Sequence, residues 1–123
     1  MTFQYTNAFV TLAANDIETL IQFYSQLLEQ EPKSYISNVY AEFQLSGVRL
    51  GIFKPKENHR AEFSNSAQSG ISLCLEVNDL EEAIDHLRVM GYSPPGEIAT
   101  ASHGREIYAY DPAGNRLILH ELS

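Results

Sequence analysis

The sequence predicts an α+β fold in which two βαβββ modules form a cupped, barrel-like mixed sheet with helices on its outer face. Three observations predict it: an internal repeat, a helix directly after the first strand of each copy, and a two-faced hairpin after each helix. The 123 residues suit one compact domain. We place module one at about 7–54, a linker at about 55–69 and module two at about 70–122.

The repeat is visible when the sequence is offset against itself by 63 residues. Each copy starts with the alternation typical of a strand, stops at an Asn-Asp pair and continues with helical periodicity. Because both copies predict the same structural unit, the repeat supports two related modules. The identical pairs are Leu12/Leu75, Asn15/Asn78, Asp16/Asp79, Glu18/Glu81, Ile21/Ile84 and Pro32/Pro95.

Both predicted helices begin after an aspartate, Asp16 or Asp79, whose carboxylate can accept the free amides of the first turn. Gly91 is well placed to end the second helix. Apolar residues recur at intervals of three and four, so each helix has a stripe that must pack on a sheet. The stripes are Ile17, Leu20, Ile21, Tyr24, Leu27 and Leu28, then Leu80, Ala83, Ile84, Leu87 and Met90.

A hairpin follows each helix. Ser46-Gly47 separates the predicted strands 39–45 and 48–53, and the turn 111–115 separates 106–110 from 116–121. If Leu45 pairs with Val48, each hairpin has an aliphatic face for the helices and a mixed face of aromatic, acidic, arginine and histidine residues. We interpret the mixed faces as a concave ligand cavity, with a second aromatic core as the alternative. The polar segment 54–69 is predicted to be a linker or a flap over that site.

Composition excludes several classes of protein. Eight basic and sixteen acidic residues give a net charge of −8 with the basic residues scattered, so nucleic acid is not an expected partner. No apolar run has membrane-spanning length, and residues 1–10 lack signal-peptide features, so we expect a cytoplasmic protein without a membrane partner. The single Cys74 excludes a disulfide framework and a multi-cysteine zinc site, and we expect it to be an inert, buried thiol.

Two local motifs carry a resemblance to a known family. The first helix contains Phe23-Tyr24 followed by Leu27-Leu28, and the last hairpin contains the run from Tyr110 to Leu117 (Tyr-Asp-Pro-Ala-Gly-Asn-Arg-Leu). With the repeated strand–helix–hairpin unit, residues 7–122 resemble the vicinal oxygen chelate superfamily of glyoxalases, bleomycin resistance proteins and ring-cleaving dioxygenases. The resemblance implies the fold, and less about activity, because this family performs many chemistries on one scaffold.

The resemblance implies where a metal site would lie, because metal enzymes of that superfamily carry their ligands on the concave faces of four strands. The corresponding positions here are occupied by Phe9, Gly51, Ser72 and Ile118. None of these is a usual ligand of a divalent cation, which prefers imidazole nitrogens and carboxylate oxygens. We therefore expect no metal and no other cofactor.

Two sets of candidate site residues follow. Glu42, Glu106 and His120 are candidates for acid–base chemistry or for a displaced metal site, although cross-strand and ion pairs would equally explain them. The expected ligand-binding residues are Phe9, Tyr40, Glu42, Arg49, Phe53, Tyr108, Tyr110, Arg116 and His120.

Three functions remain open. The first is a metal-free homodimer, similar to the bleomycin resistance branch, that binds a small molecule in an aromatic-lined concave pocket. The alternative is a lyase, isomerase or dioxygenase-like enzyme that uses an atypical metal site or Glu/His acid–base catalysis. The third is a module whose concave face binds another protein.

Overall fold

The computed structural model describes residues 3–65 and 68–123 as two similar four-stranded sheets. A 3₁₀ helix, Glu57–Phe63, lies between the modules along the chain. The first module consists of β1 (Val10–Ala13), α1 (Ile17–Leu28), β2 (Ser34–Ile36), β3 (Tyr40–Leu45) and β4 (Val48–Phe53); the second consists of β5 (Leu73–Glu76), α2 (Leu80–Met90), β6 (Ala99–Ala101), β7 (Gly104–Tyr110) and β8 (Arg116–Leu122).

Both sheets have the same topology, which confirms the predicted α+β fold of two βαβββ modules. The strand orders are β1-β4-β3-β2 and β5-β8-β7-β6. In each sheet the first strand runs parallel to the last, and the other pairs are antiparallel. Since β1 and β5 are both sheet edges and no strand ladder joins the two sheets in the described residues, the sheets form a cup and not a closed barrel.

The predicted hairpin register is confirmed. Leu45 pairs with Val48 and Phe43 with Leu50, while in the second sheet Glu106 pairs with His120. The aliphatic faces are buried against the helices as expected. This core contains Ala41, Phe43, Leu50 and Ile52 from the first sheet, Ile107, Ala109, Leu117 and Leu119 from the second, and Ile17, Leu20, Ile21, Phe23, Tyr24, Leu80, Ile84 and Leu87 from the helices.

The helix ends follow the predicted capping. An Asp16 carboxylate oxygen accepts the Thr19 amide at 3.2 Å, and Asp79 accepts the Glu82 amide at 3.1 Å. Gly91 ends α2 in the left-handed conformation, at φ 95°. These caps fix where each chain segment leaves its sheet and turns over the aliphatic face.

A buried hydrogen bond connects the modules. The Tyr24 hydroxyl of α1 donates to the Asp111 carboxylate of the β7–β8 turn at 2.7 Å. Burial, together with the charge of Asp111, raises the pKa of Tyr24 well above its ordinary value, so the hydroxyl keeps its proton. Asp111 also accepts the backbone amides of Ala113 and Asn115. The turn that resembles the family motif is therefore also one of the contacts between the modules.

Three features differ from the sequence-based expectations. The βαβββ modules imply a further short strand after each helix, but the sequence did not locate β2 and β6, and the expected linker contains the 3₁₀ helix. Residues 66 and 67 of that linker lie outside the described ranges. Cys74 is exposed, because its side chain is on the mixed face of β5 and not beneath α2, so the expectation of a buried thiol was wrong. No helix in the described residues has the length and apolar character needed to cross a membrane.

Candidate functional site

The mixed face of the first sheet contains a connected group of four predicted site residues. The Arg49 guanidinium lies over the Phe9 ring, 4.6 Å from its centroid, and Nη1 donates to Glu42 Oε2 at 3.4 Å. The Tyr40 hydroxyl donates to Glu42 Oε1 at 2.9 Å. Burial, then the hydrogen bond to Glu42, raises the pKa of Tyr40, which keeps this hydroxyl a donor. Glu42 is therefore ion-paired with Arg49, which agrees with one of the two interpretations of this residue from the sequence.

The four positions that correspond to metal ligands in the resembled superfamily do not fit a metal ion. A Cβ at Gly51 would lie 2.9 Å from the Tyr40 hydroxyl, so this tyrosine occupies the space of a larger side chain. Ser72 Oγ accepts a hydrogen bond from Arg116 Nε at 2.6 Å. Phe9 and Ile118 offer no ligand atom. No metal-dependent step can be assigned to these residues.

The mixed face of the second sheet contains a different arrangement. Glu106 pairs with His120 across β7 and β8, and the His103 ring, in the turn before β7, stacks on His120 with 5.1 Å between centroids. His120 is only 8% exposed. Its Nε2 is buried and has no hydrogen-bond partner among residues 3–65 and 68–123. Tyr108, in contrast, is 48% exposed.

The exposed Cys74 belongs to the same mixed face. Partial burial, followed by the nearby carboxylates of Glu76 and Glu106, raises the pKa of its thiol. A raised pKa disfavours the thiolate, which is the nucleophilic form. The thiol is thus accessible without being activated.

A cleft of about 360 Å³ lies between the two modules, at β1 and the starts of β5 and β8. Thr11 and Ala13 of β1 form one side, and Ser72 and Arg116 form the other. Phe63 of the 3₁₀ helix also lines it, and this ring packs edge-on against Phe53 with 5.5 Å between centroids. The segment that the sequence left open as a linker or a flap therefore contributes a wall of the cleft.

The predicted site residues fall into separate groups of contacts within the described residues. Phe9, Tyr40, Glu42 and Arg49 form the first group, Glu106 and His120 belong to the second with His103, and Arg116 and Phe53 border the cleft or contact its wall. Tyr108 and Tyr110 follow the same face of β7, opposite Ile118 and Arg116.

Sequence reasoning missed three residues of this region, namely His103, Phe63 and Thr11. Phe63 had a signal, since it is an aromatic residue within a polar, non-periodic segment. His103 had a weaker one, its position three residues before Glu106 and beside Gly104. Thr11 alternated with apolar residues like any other strand position, and nothing in the sequence distinguished it.

Solved structures with this fold cover nearly the whole chain. A glyoxalase/bleomycin resistance protein from Catenulispora acidiphila is 23% identical, with a TM-score of 0.71, over 97% of this chain and 100% of that one. A protein from Agrobacterium tumefaciens is 22% identical, with a TM-score of 0.77, over 97% and 99%. A glyoxalase-related enzyme from Fulvimarina pelagi is 18% identical, with a TM-score of 0.73, over 95% and 88%.

These likenesses show the fold. No protein with a curated function matches the chain. The family model of the glyoxalase/bleomycin resistance protein/dioxygenase superfamily matches residues 7–119, which include both modules and the turn at Asp111. The chain belongs to the glyoxalase/bleomycin resistance protein/dioxygenase superfamily.

Proposed function

We propose that this protein binds a small molecule in the concave cleft between the two sheets, without a metal ion at the four family positions. The observation that carries the proposal is the cleft itself, which is lined by β1, the starts of β5 and β8, and the end of the 3₁₀ helix. Its volume of about 360 Å³ is within the range of small-molecule sites. The proposed ligand is small, with at most a few rings or a short chain.

The chemistry of the lining indicates the kind of ligand. Phe63 offers an apolar surface, while the Arg116 guanidinium lies at the opposite wall, where Nε donates to Ser72 Oγ and Nη2 donates to the Ser69 carbonyl oxygen. A guanidinium favours a carboxylate, a phosphate or another oxygen acceptor. We therefore propose a partly apolar organic ligand with an anionic or strongly polar oxygen group. Such a ligand agrees with the small-molecule partner expected from the sequence. The net charge of −8 does not favour a nucleic acid as the partner.

One observation favours a second candidate, an enzyme of the lyase, isomerase or dioxygenase-like kind. His120 is buried with an unpartnered Nε2, and Glu106 lies directly opposite in the neighbouring strand. An imidazole beside a carboxylate is suited to move a proton. Glu42, the other candidate, is engaged with Tyr40 and Arg49, which makes it less suited to that role.

Thermal unfolding with a panel of small carboxylates, phosphates and neutral aromatic compounds tests the binding proposal. A ligand at about 100 times its Kd adds about 2.7 kcal/mol to the free energy of unfolding, which raises Tm by several degrees. We expect at least one anionic compound to do so, and Arg116→Gln to remove that shift. Arg88→Gln is the matched control, because Arg88 lies on α2 and pairs with Asp85 at the surface.

The experiment distinguishes a loss of ligand binding from a loss of protein stability. The unliganded Tm of every variant shows whether a lost shift reflects unfolding, and Phe63→Ala tests the apolar wall without changing a charge. The proposal fails if no compound in the panel stabilises the wild-type protein. It also fails if the shift persists in both Arg116→Gln and Phe63→Ala.

A further inference from the structure

We propose that His103, Glu106 and His120 form a binding site for a divalent transition-metal ion, displaced from the four family positions. Each residue offers one ligand atom, and the three atoms lie within 4.8 Å of one another. The proposal does not rest on ligand binding in the cleft. It departs from the expectation of a metal-free protein and takes up the alternative of a displaced site, with His103 in place of Glu42.

The fold brings the three residues together through two strand pairings. Glu106 and His120 are direct partners in the β7–β8 ladder, so their side chains emerge side by side on the mixed face. His103 belongs to the turn between β6 and β7, and its ring stacks on that of His120 at an interplanar angle of 28°. The pairing of β7 with β8 and the β6–β7 turn therefore independently bring side chains from three sequence positions close together.

A second observation, on one of the three residues, favours a ligand for His120. This side chain is more than nine-tenths buried, and its Nε2 has no hydrogen-bond partner within the part of the chain that the structure describes. Buried polar atoms in native proteins nearly always have a partner. A metal ion held with His103 and Glu106 supplies the missing one.

The neighbouring backbone is shaped around this nitrogen. Gly104 has φ 144°, and a Cβ there would lie 3.1 Å from His120 Nε2 and 2.1 Å from the Glu121 carbonyl oxygen. A side chain at position 104 would therefore collide with the strand and crowd the imidazole. Only glycine allows β7 to start this close to His120.

The donor set determines the class of metal. Two imidazoles and one carboxylate suit Zn²⁺, Ni²⁺, Co²⁺ or Fe²⁺, whereas Mg²⁺ and Ca²⁺ prefer sites made of oxygen atoms alone. Bonds of about 2.0–2.2 Å in a tetrahedral site place ligand atoms about 3.3–3.6 Å apart. The three ligand atoms are up to 4.8 Å apart, so metal binding requires them to move closer. The exposed His103 and the half-buried Glu106 can rotate to do this, while the buried His120 stays fixed. Three protein ligands leave a coordination position open.

A second group of potential metal ligands is already engaged by protein donors. Asp79, Glu81 and Glu121 are equally close to one another. Asp79, however, caps α2, and the other two carboxylates hold the Arg105 guanidinium at 2.7–3.1 Å. Their oxygens are already engaged by protein donors.

The test uses tag-free protein that has been treated with chelator and dialysed. Zn²⁺ is titrated by calorimetry, and Co²⁺ is added to record visible absorption, which reports the coordination geometry. We expect one Zn²⁺ per chain and a Co²⁺ spectrum with nitrogen ligands. His103→Ala and Glu106→Gln should each weaken binding by more than the roughly 10–100-fold typical of losing an outer-shell partner. Both residues are accessible enough for these variants to fold, which circular dichroism checks.

The chain provides a matched control pair. His59 and Glu62 lie on the 3₁₀ helix, 4.0 Å apart and exposed, so His59→Ala and Glu62→Gln remove the same residue types away from the proposed site. These two variants should bind Zn²⁺ as the wild-type protein does. The proposal is overturned if the wild-type chain shows no stoichiometric Zn²⁺ binding, or if His103→Ala and Glu106→Gln bind as tightly as the controls.

Discussion

Single residues on opposite faces of the same strand have different tasks in this fold. Leu50 and Arg49 are neighbours in β4, yet Leu50 is fully buried in the core while Arg49 lies over Phe9 on the mixed face. Because successive side chains of a strand point to opposite faces, this separation can be predicted from the sequence. The contact partner of Arg49 was also predictable in part, because Glu42 and Arg49 are close in the predicted hairpin. The stacking on Phe9 required the position of β1 beside β4, which the sequence does not specify.

The two faces should respond differently to truncation. Leu50→Ala leaves a cavity in a fully buried position and should lower the free energy of unfolding by about 2–5 kcal/mol. Tyr108→Ala removes a side chain that is 48% exposed and should cost far less, within about 1 kcal/mol. Urea denaturation of both variants measures the difference. Equal losses would show that the mixed face is a second core, which was the alternative interpretation of its aromatic residues.

At the scale of elements, strong local signals were sufficient for the helices and the hairpins. Aspartate caps, helical periodicity and the Ser46-Gly47 turn are local interactions, so α1, α2, β3 and β4 were predicted with their register. β2 and β6 are three residues long, and the exposed β2 has no apolar alternation to detect. β2 and β6 form because each pairs with a longer neighbouring strand. Such pairing leaves no recognisable sequence pattern within a strand of three residues.

An ion network joins the last hairpin to the start of α2. Arg105 of β7 donates two hydrogen bonds to Glu81 at 2.8 and 2.9 Å and also bonds Glu121, whose other oxygen accepts the Leu80 amide. The hydrogen bonds from Arg105 lower the pKa of Glu81 from 4.5 to about 2. The Leu80 amide, and then Arg105, lower the pKa of Glu121.

This network should make stability pH-dependent in acid. Carboxyl groups whose pKa is lower in the folded chain than in the unfolded chain stabilise the fold above about pH 4.5, and that contribution is lost as the pH falls toward 2. We expect Tm to fall over this range, and to fall less steeply in Arg105→Gln. Arg88→Gln removes an exposed arginine of α2 and should keep the wild-type slope. Parallel slopes in all three proteins would contradict the role of Arg105.

For the whole molecule, the order of the elements and the hairpin register of each module were predictable, and the arrangement of the two modules was not. The offset repeat indicates two like units, but it does not specify how β1 and β5 face each other. The cleft depends on that arrangement, since Thr11 and Ser72 come from different modules and Phe63 from the segment between them. Long-range packing also brings His103 onto His120. The predicted face assignments agree with the strand register, whereas the role of these residues in ligand binding and their grouping into one cavity stay predictions.

The edges of the two sheets support the homodimer expected from the sequence. β2 is an edge strand, and its residues Tyr35 and Ile36 are 48% and 60% exposed. An edge strand with exposed apolar side chains is a template for pairing with another chain, which natural monomers usually avoid with charges or proline. We propose that a second copy of this chain pairs at β2, which would give a two-fold assembly with two equivalent clefts.

Light scattering after size-exclusion chromatography tests this assembly. The wild-type protein should have twice the chain mass of 13.8 kDa at micromolar concentration. Ile36→Lys places a charge on the edge strand and should shift the mass toward the monomer. Val89→Lys, on the exposed side of α2 where the side chain is 89% exposed, should leave the dimer intact. A monomer mass for the wild-type protein would count against the dimer, and equal dissociation by both lysines would place the interface away from β2.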